Sequence, residues 1–244
     1  MLLEARGLHI AFGGVIAVDE VSFTVKAGEI LGMVGANGSG KTTCLNMLTR
    51  LIAPGRGAMM LDGQDYTALA PDRLVALGIS RTFQNLRLFK DLSVAENVAL
   101  GVQAGMQAKG TPRRERAIWA RVHELLDMGG IRVHAGVLPA SLPYGTQRVV
   151  EIARALASSP RLVFLDEPFA GMSSDEARML SKLLLDVRES SGMALVIVDH
   201  NVEVLVSVAE RLIALAEGRV IAEGAAAAVL SDPAVVRSYV GTDV

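Results

Sequence analysis

One cysteine in 244 residues excludes an internal disulfide, so Cys44 fits a chain kept in a reducing compartment. Neither sign of charge dominates. The 24 basic and 26 acidic residues nearly cancel, and no global field exists to attract nucleic acid. Long apolar runs are missing as well: none approaches the ~18–20 residues that a membrane span needs. The opening MLLEARGLHI carries Glu4 and Arg6 and lacks the apolar core of a secretory signal. These absences predict a chain soluble in itself that meets a membrane only through a partner. Internal repeats and low-complexity linkers are also lacking, apart from a short alanine run at Ala225–Ala228. What remains is abundant apolar material, 51% by the broad count, enough for one large α/β domain or two small ones.

The first third reads as strands. Val21, Phe23 and Val25 alternate with Ser22, Thr24 and Lys26 in the period-2 pattern of a half-buried strand. Ile30–Val34 is an apolar run short enough for a buried strand, and a helix is expected from Lys41 to about Leu51, ended by Pro54, Gly55 and Gly57. Met59–Leu61 before Asp62-Gly63 suggests another strand and turn. From about Leu92 to Leu156 the spacing turns helical, as in Val122, Leu125 and Leu126, and the basic run KGTPRRER (Lys109–Arg116) reads as a solvated loop. Strand signals return at Leu162–Leu165 and Met193–Val198, around a helix with its apolar face at Ala177, Leu180, Leu183, Leu184 and Val187. Ile213–Ala216 and Arg219–Ala222 flank Glu217-Gly218 as a hairpin would. Strands separated by helical segments imply an α/β core with a mainly parallel sheet and a helical insertion.

The chemistry concentrates in two places. Gly35-Ala36-Asn37-Gly38-Ser39-Gly40-Lys41-Thr42 fits G-x-x-x-x-G-K-[ST] between a buried strand and a helix, the context this motif requires. Its glycines let successive N–H groups turn inward toward phosphate oxygens, and the following helix presents the positive end of its dipole to them. Lys41 is expected at the β- and γ-phosphates and Thr42 on Mg²⁺. Leu162–Leu165 carries a strand to Asp166-Glu167 at its C-terminal end, where ligands of open α/β sheets bind. Asp166 is expected to hold Mg²⁺ through water and Glu167 to polarise the attacking water. Cys44, just past the loop, reads as packing.

With these residues in view, the sequence resembles the nucleotide-binding subunits of ATP-binding-cassette (ABC) transporters over essentially its whole length. The likeness extends to Arg81-Thr82-Phe83-Gln84, to Leu142–Arg148 (LPYGTQR) at the place of the family's signature segment, to Val198-Asp199-His200, and to Phe12, 23 residues before Gly35. It implies a P-loop NTPase (RecA-like) core with a mixed sheet, an N-terminal antiparallel β subdomain and an inserted α-helical subdomain. Residues of about 1–88 and 157–244 would form the core, and about 89–156 the insertion, all within one ATPase domain. It implies ATP and Mg²⁺ as cofactors. Phe12 would stack on adenine, with Val18 beside it and Thr43 following the loop residues. Gln84 would reach Mg²⁺ and the attacking water, and His200 would hydrogen-bond the γ-phosphate. Two such subunits close head to tail in the family, so Pro143, Tyr144, Gly145 and Thr146 would face ATP held by a partner's loop. This segment departs from the family's LSGGQ, with proline for serine, tyrosine for the first glycine and threonine for glutamine. Ser173 stands where an aspartate is expected. These departures imply a weaker second site and a partner of different sequence.

Phe12-Gly13-Gly14 with Ala17-Val18, the run Leu77–Phe89, and the tail Asp232–Gly241 look like the ATP-binding subunits of branched-chain amino acid importers. That resemblance implies two membrane-spanning permease subunits, a second ATP-binding subunit, a solute-binding protein reached indirectly, and a peripheral place on the cytoplasmic face of a bacterial inner membrane. Leu86 and Phe89 would then grip the permease, or else pack internally. Urea and short-amide importers, the lipopolysaccharide-export ATPase, soluble cassette ATPases of repair or translation, and a binding-only cassette are the alternatives. Glu167 and His200 weigh against the last.

Overall fold

The computed structural model describes residues 1–240. Gly241, the end of the tail singled out above, lies outside them. In chain order the elements are β1 (Leu3–Phe12), β2 (Val15–Val25), β3 (Ile30–Val34), α1 (Lys41–Leu48), β4 (Arg56–Leu61), β5 (Gln64–Asp65), α2 (Leu74–Leu77) and β6 (Ile79–Arg81). Then come α3 (Val94–Ala108), α4 (Glu115–Met128), α5 (Tyr144–Ala157), β7 (Leu162–Asp166), α6 (Ser174–Ser191) and β8 (Ala194–Val198). The chain continues through α7 (Val202–Val208), β9 (Arg211–Ala216), β10 (Arg219–Ala225), α8 (Ala226–Ser231) and α9 (Pro233–Val240).

Two sheets form. An antiparallel sheet runs β2-β1-β4-β5, and a six-stranded mixed sheet runs β10-β9-β3-β8-β7-β6. All pairs of the second sheet from β9 to β6 are parallel, and β10 closes its other edge antiparallel to β9. Gly13 and Gly14 both take positive φ at the β1–β2 turn, the left-handed pair that a two-residue hairpin needs. Glu217 and Gly218 do the same between β9 and β10, so the expected hairpin is there, with longer strands than its apolar residues mark.

The continuous apolar character of β3, β7 and β8 follows from their position between two layers. Leu31 and Met33, Leu162 and Phe164, and Val196 and Val198 point to one side, where they meet Leu45 and Leu48 of α1 and Leu3, Leu8, Val21 and Phe23 of the antiparallel sheet. Ile30 and Val34, Val163 and Leu165, and Leu195 and Ile197 point to the other, against Val98 of α3, Leu125 of α4, Val150 of α5 and Leu184 of α6. Period-2 alternation thus splits each strand between two cores.

Several boundaries differ from those read in the sequence. The helix after the phosphate loop stops at Leu48, three residues early, because Thr49 turns its hydroxyl to the Leu45 carbonyl and Arg50 enters the left-handed region at φ 55°. Met59–Leu61 is the second half of a strand that starts at Arg56. The helical middle is three helices, with a gap between α4 and α5 bridged by 3₁₀ turns at Arg132–His134 and Pro139–Ser141. Among the described residues no helix is long and apolar enough to cross a membrane.

Candidate nucleotide site

The loop from Gly35 to Gly40 joins β3 to α1 at the C-terminal edge of the parallel sheet. Gly35, Gly38 and Gly40 take φ of 148°, 80° and 101°, and a side chain on Gly40 would strike the carbonyl oxygen of Ala17. Gly40 is the N-cap of α1, with no side chain capping the helix and no acid in its first turn. The amides that begin α1 are therefore left for an external acceptor. Lys41 lies back across the loop, its Nζ donating to the carbonyls of Gly35 (2.6 Å) and Ala36 (2.9 Å). Burial lowers the Lys41 pKa, against the opposing pull of Glu167 and Asp166. Thr42 is exposed, Thr43 half-buried, Asn37 and Gly38 exposed, and Ser39 buried.

Beside the loop, β7 ends at Asp166, which is 1% exposed. Its Oδ2 accepts from Arg81 Nη2 at 3.1 Å, while Oδ1 is buried with no partner. Burial raises the Asp166 pKa, opposed by Arg81. Glu167 follows with φ 47°, a left-handed conformation unusual for a glutamate, and its N–H donates to Val198 O at 2.7 Å across to β8. That twist turns the Glu167 carboxylate to Gln84, whose Nε2 donates to Oε2 at 3.1 Å, and to His200, whose Nδ1 lies 3.8 Å from the same oxygen. Gln84, Glu167 and His200, separated by 83 and 33 positions in the sequence, converge here.

Three residues whose individual roles were not legible hold this arrangement. Arg81 ties β6 to α1 and β7, donating from Nη1 to Asn46 and Thr49 (2.7 Å each) besides Asp166. Asp199, fully buried, accepts from the N–H groups of Phe169 (3.1 Å) and Asn201 (2.8 Å), joining the loop after Glu167 to the loop carrying His200. Arg148, fully buried on α5, donates to the carbonyls of Phe83 (2.7 Å) and Gln84 (2.6 Å), to Glu151 (2.8 Å) and to the Tyr144 hydroxyl (2.9 Å). Each joins segments far apart in the chain. The only signal in the sequence was their place inside quoted motifs.

The remaining candidates lie apart from this cluster. Phe12 is 49% exposed at the end of β1. Val18 is fully buried in the core between the sheets, with Gly40 above it, and so presents no open face. Pro143 is the N-cap of α5, with no side-chain cap, and Tyr144 is exposed, Gly145 buried and Thr146 half-buried. Cys44 is fully buried, its thiol pushed up to about 12 by desolvation. Leu86 is half-buried and Phe89 exposed, with the Arg154 guanidinium over its ring.

Such a loop at the switch edge of a parallel sheet defines a P-loop nucleotide hydrolase. Residues 18–170 match the family model described as ABC transporter, and residues 219–244 match that described as branched-chain amino acid ATP-binding cassette transporter. The chain belongs to the ABC transporter family, as an ATP-binding subunit and an ATPase. It is 31% identical over 249 residues to the high-affinity branched-chain amino acid transport ATP-binding protein LivG of Escherichia coli K12, covering 98% of each chain. It is 35% identical over 240 residues to the lipopolysaccharide export system ATP-binding protein LptB of Acidithiobacillus ferridurans, covering 98% of this chain and 97% of that one. Among solved structures, the ADP conformation of MJ1267, an ATP-binding cassette of an ABC transporter, superposes with a TM-score of 0.87 at 28% identity over 98% of both chains.

Proposed function

We propose that this chain powers an importer of branched-chain amino acids or related small amides from the cytoplasmic face of a bacterial inner membrane. Its partners on this reading are two permease subunits, a second ATP-binding subunit of different sequence and, indirectly, a solute-binding protein. The observation that carries the substrate class is the match of residues 219–244 to the branched-chain cassette description, joined to the end-to-end likeness to LivG.

The loop fits ATP and Mg²⁺ on its own terms. An uncapped helix start, a lysine at the loop carbonyls, and a buried carboxylate oxygen without a partner are the donor and acceptor set of a metal–triphosphate site. Bound Mg²⁺ would be held by Thr42, Gln84 and Asp166 and would supply charge neutralisation at the phosphate oxygens. Asn37, Gly38, Ser39, Gly40, Lys41, Thr42 and Thr43 grip the phosphates, Lys41 moving from the Gly35 and Ala36 carbonyls to them. Phe12 stacks on adenine, with Val18 supporting Gly40 from below. Glu167 draws a proton from the attacking water as the water oxygen bonds to the γ-phosphorus. Gln84 and His200 fix that water and the γ-phosphate, and the bond from the γ-phosphorus to the β–γ bridging oxygen breaks to leave ADP and inorganic phosphate. The start of α5, opened by Pro143, which has no N–H of its own, offers the N–H groups of Tyr144, Gly145 and Thr146 to ATP on a partner's loop.

The test uses the assembled complex in proteoliposomes. ATPase activity should rise when binding protein loaded with leucine, isoleucine or valine is added, and Glu167→Gln should lower it by about 10²–10⁴-fold while ATP remains bound. Stimulation by urea or short amides instead would move the substrate within the importer class. Stimulation by lipopolysaccharide alone would favour the function named for LptB.

A further inference from the structure

The phosphate loop is held from outside at both ends, and both holders come from the last 27 residues of the chain. At its exit, Gly218 N–H donates to the Ser39 carbonyl at 3.1 Å. At its entry, Gly35 N–H donates to the Tyr239 hydroxyl at 2.8 Å, across 204 positions of sequence. The β3–β9 ladder stops at the Val34–Ala214 pair and the β3–β8 ladder at Met33–Val198, so the Gly35 N–H lies past both ladders. A side chain at Gly35 would collide with the Leu215 carbonyl, which leaves this peptide crowded on one side and dependent on Tyr239 on the other. Its carbonyl is the one on which Lys41 rests at 2.6 Å. A single residue, Gly35, therefore carries Tyr239 on its nitrogen and the phosphate-binding lysine on its oxygen, in the two peptide units that meet at its Cα.

Tyr239 is well anchored for this. It sits on α9, which packs against β9 and β10 and buries Val235 to 1% exposure in the helical-side core. The ring itself is half-exposed, so burial of its bulk does not account for its place. Residue 239 also lies within the segment, 219–244, that matches the branched-chain cassette description.

We propose that Tyr239 is a positioning residue of the nucleotide site: its hydroxyl, delivered by α9, fixes the Gly35 N–H and with it the backbone of Gly35, whose carbonyl sets the rest position of Lys41, and so tunes the affinity of the loop for nucleotide. The proposal rests on nucleotide binding by this loop and extends it. A tyrosine that merely fastens a terminal helix would affect stability and leave affinity alone.

The experiment compares the full chain with Tyr239→Phe, which keeps the ring and removes the one oxygen, and with Val236→Ala on the exposed face of the same helix. Fluorescent ATP and ADP analogues report Kd, thermal unfolding reports Tm, and amide hydrogen exchange reports on Gly35. Loss of one hydrogen bond to the loop is expected to raise both Kd values about three- to tenfold in Tyr239→Phe. KM for ATP should rise in proportion with kcat held within about twofold, Tm should move by less than about 3 °C, and Gly35 should exchange faster. Val236→Ala should match the unsubstituted chain. Unchanged Kd in Tyr239→Phe, unchanged exchange at Gly35, or an equal loss in Val236→Ala would each overturn the proposal. An unsubstituted chain that bound neither analogue would overturn the reading of the loop itself, and this proposal with it.

Discussion

Asp166 and Arg148 stand for two treatments of buried charge, one beside the phosphate loop and one paired within the protein. Asp166 keeps one oxygen without a partner beside the phosphate loop, a cost that a protein interior bears where a ligand completes the set. Arg148 spends four donor contacts on protein acceptors, with its Nε left buried without one, and neutralises Glu151, itself 2% exposed. Replacing Arg148 by Met leaves the Glu151 carboxylate buried and unpaired, so urea unfolding should show a loss of about 3–5 kcal/mol, and Glu151→Leu in the same chain should recover most of it. Cys44 carries a prediction in pH. Its thiol titrates at about 12 when folded and near ~8.5 when unfolded, so above pH ~8.5 the unfolded chain releases a proton that the native one keeps. Stability then falls as pH rises through that window, by about 1.4 kcal/mol per unit, and Cys44→Ala should remove that share of the slope. Native Cys44 should also resist iodoacetamide at pH 8 and react once the chain is unfolded. The packing reading of Cys44 needed only its place on a helix after the loop. The work of Arg81 and Arg148 was not legible, because their acceptors lie up to 85 positions away and no local pattern encodes such pairs.

At the scale of elements, two of the departures from the family's pattern, Ser173 and Pro143, have different local consequences. Ser173 occupies the expected aspartate position and is the N-cap of α6, in a reciprocal box with Glu176. Serine and aspartate cap equally well, which explains why the exchange leaves the helix start intact. Ser173→Ala should cost about 1 kcal/mol in thermal or denaturant unfolding, and Ser173→Asp only a few tenths. Pro143 begins α5 without a cap of any kind. Pro143→Ser should stabilise the helix start by about 0.5–1 kcal/mol and raise the ATPase rate of the assembled complex. An unchanged rate would remove the basis for two unequal ATP sites. Helix α6 was readable from its apolar face, and β3, β7 and β8 from their runs, since burial on one stripe or on both faces leaves a period in the sequence. The two-residue β5 and the four-residue α2 leave no such period.

Over the whole molecule, the six-stranded sheet separates α1 and the antiparallel β layer from α3, α4, α5 and α6, and the phosphate loop emerges at its edge between strands of distant origin. The segment after residue 217 closes back on that loop through Gly218 and Tyr239, so the end of the chain is part of the site's frame. Deleting α9 should therefore weaken nucleotide binding at least as much as Tyr239→Phe does, with a loss of stability added because Val235 leaves the core.

By itself the sequence determined the phosphate loop, the strand that delivers Asp166 and Glu167, and the α/β class, because each rests on contiguous residues whose chemistry is local. Only the tertiary structure decided that Gln84, Glu167 and His200 share one carboxylate oxygen as their meeting point, that Val18 is sealed beneath Gly40, and that Tyr239 holds Gly35. Those depend on sheet order and on buried hydrogen bonds between remote segments. Such pairings are selected by the packing of the whole chain and not by any stretch of it.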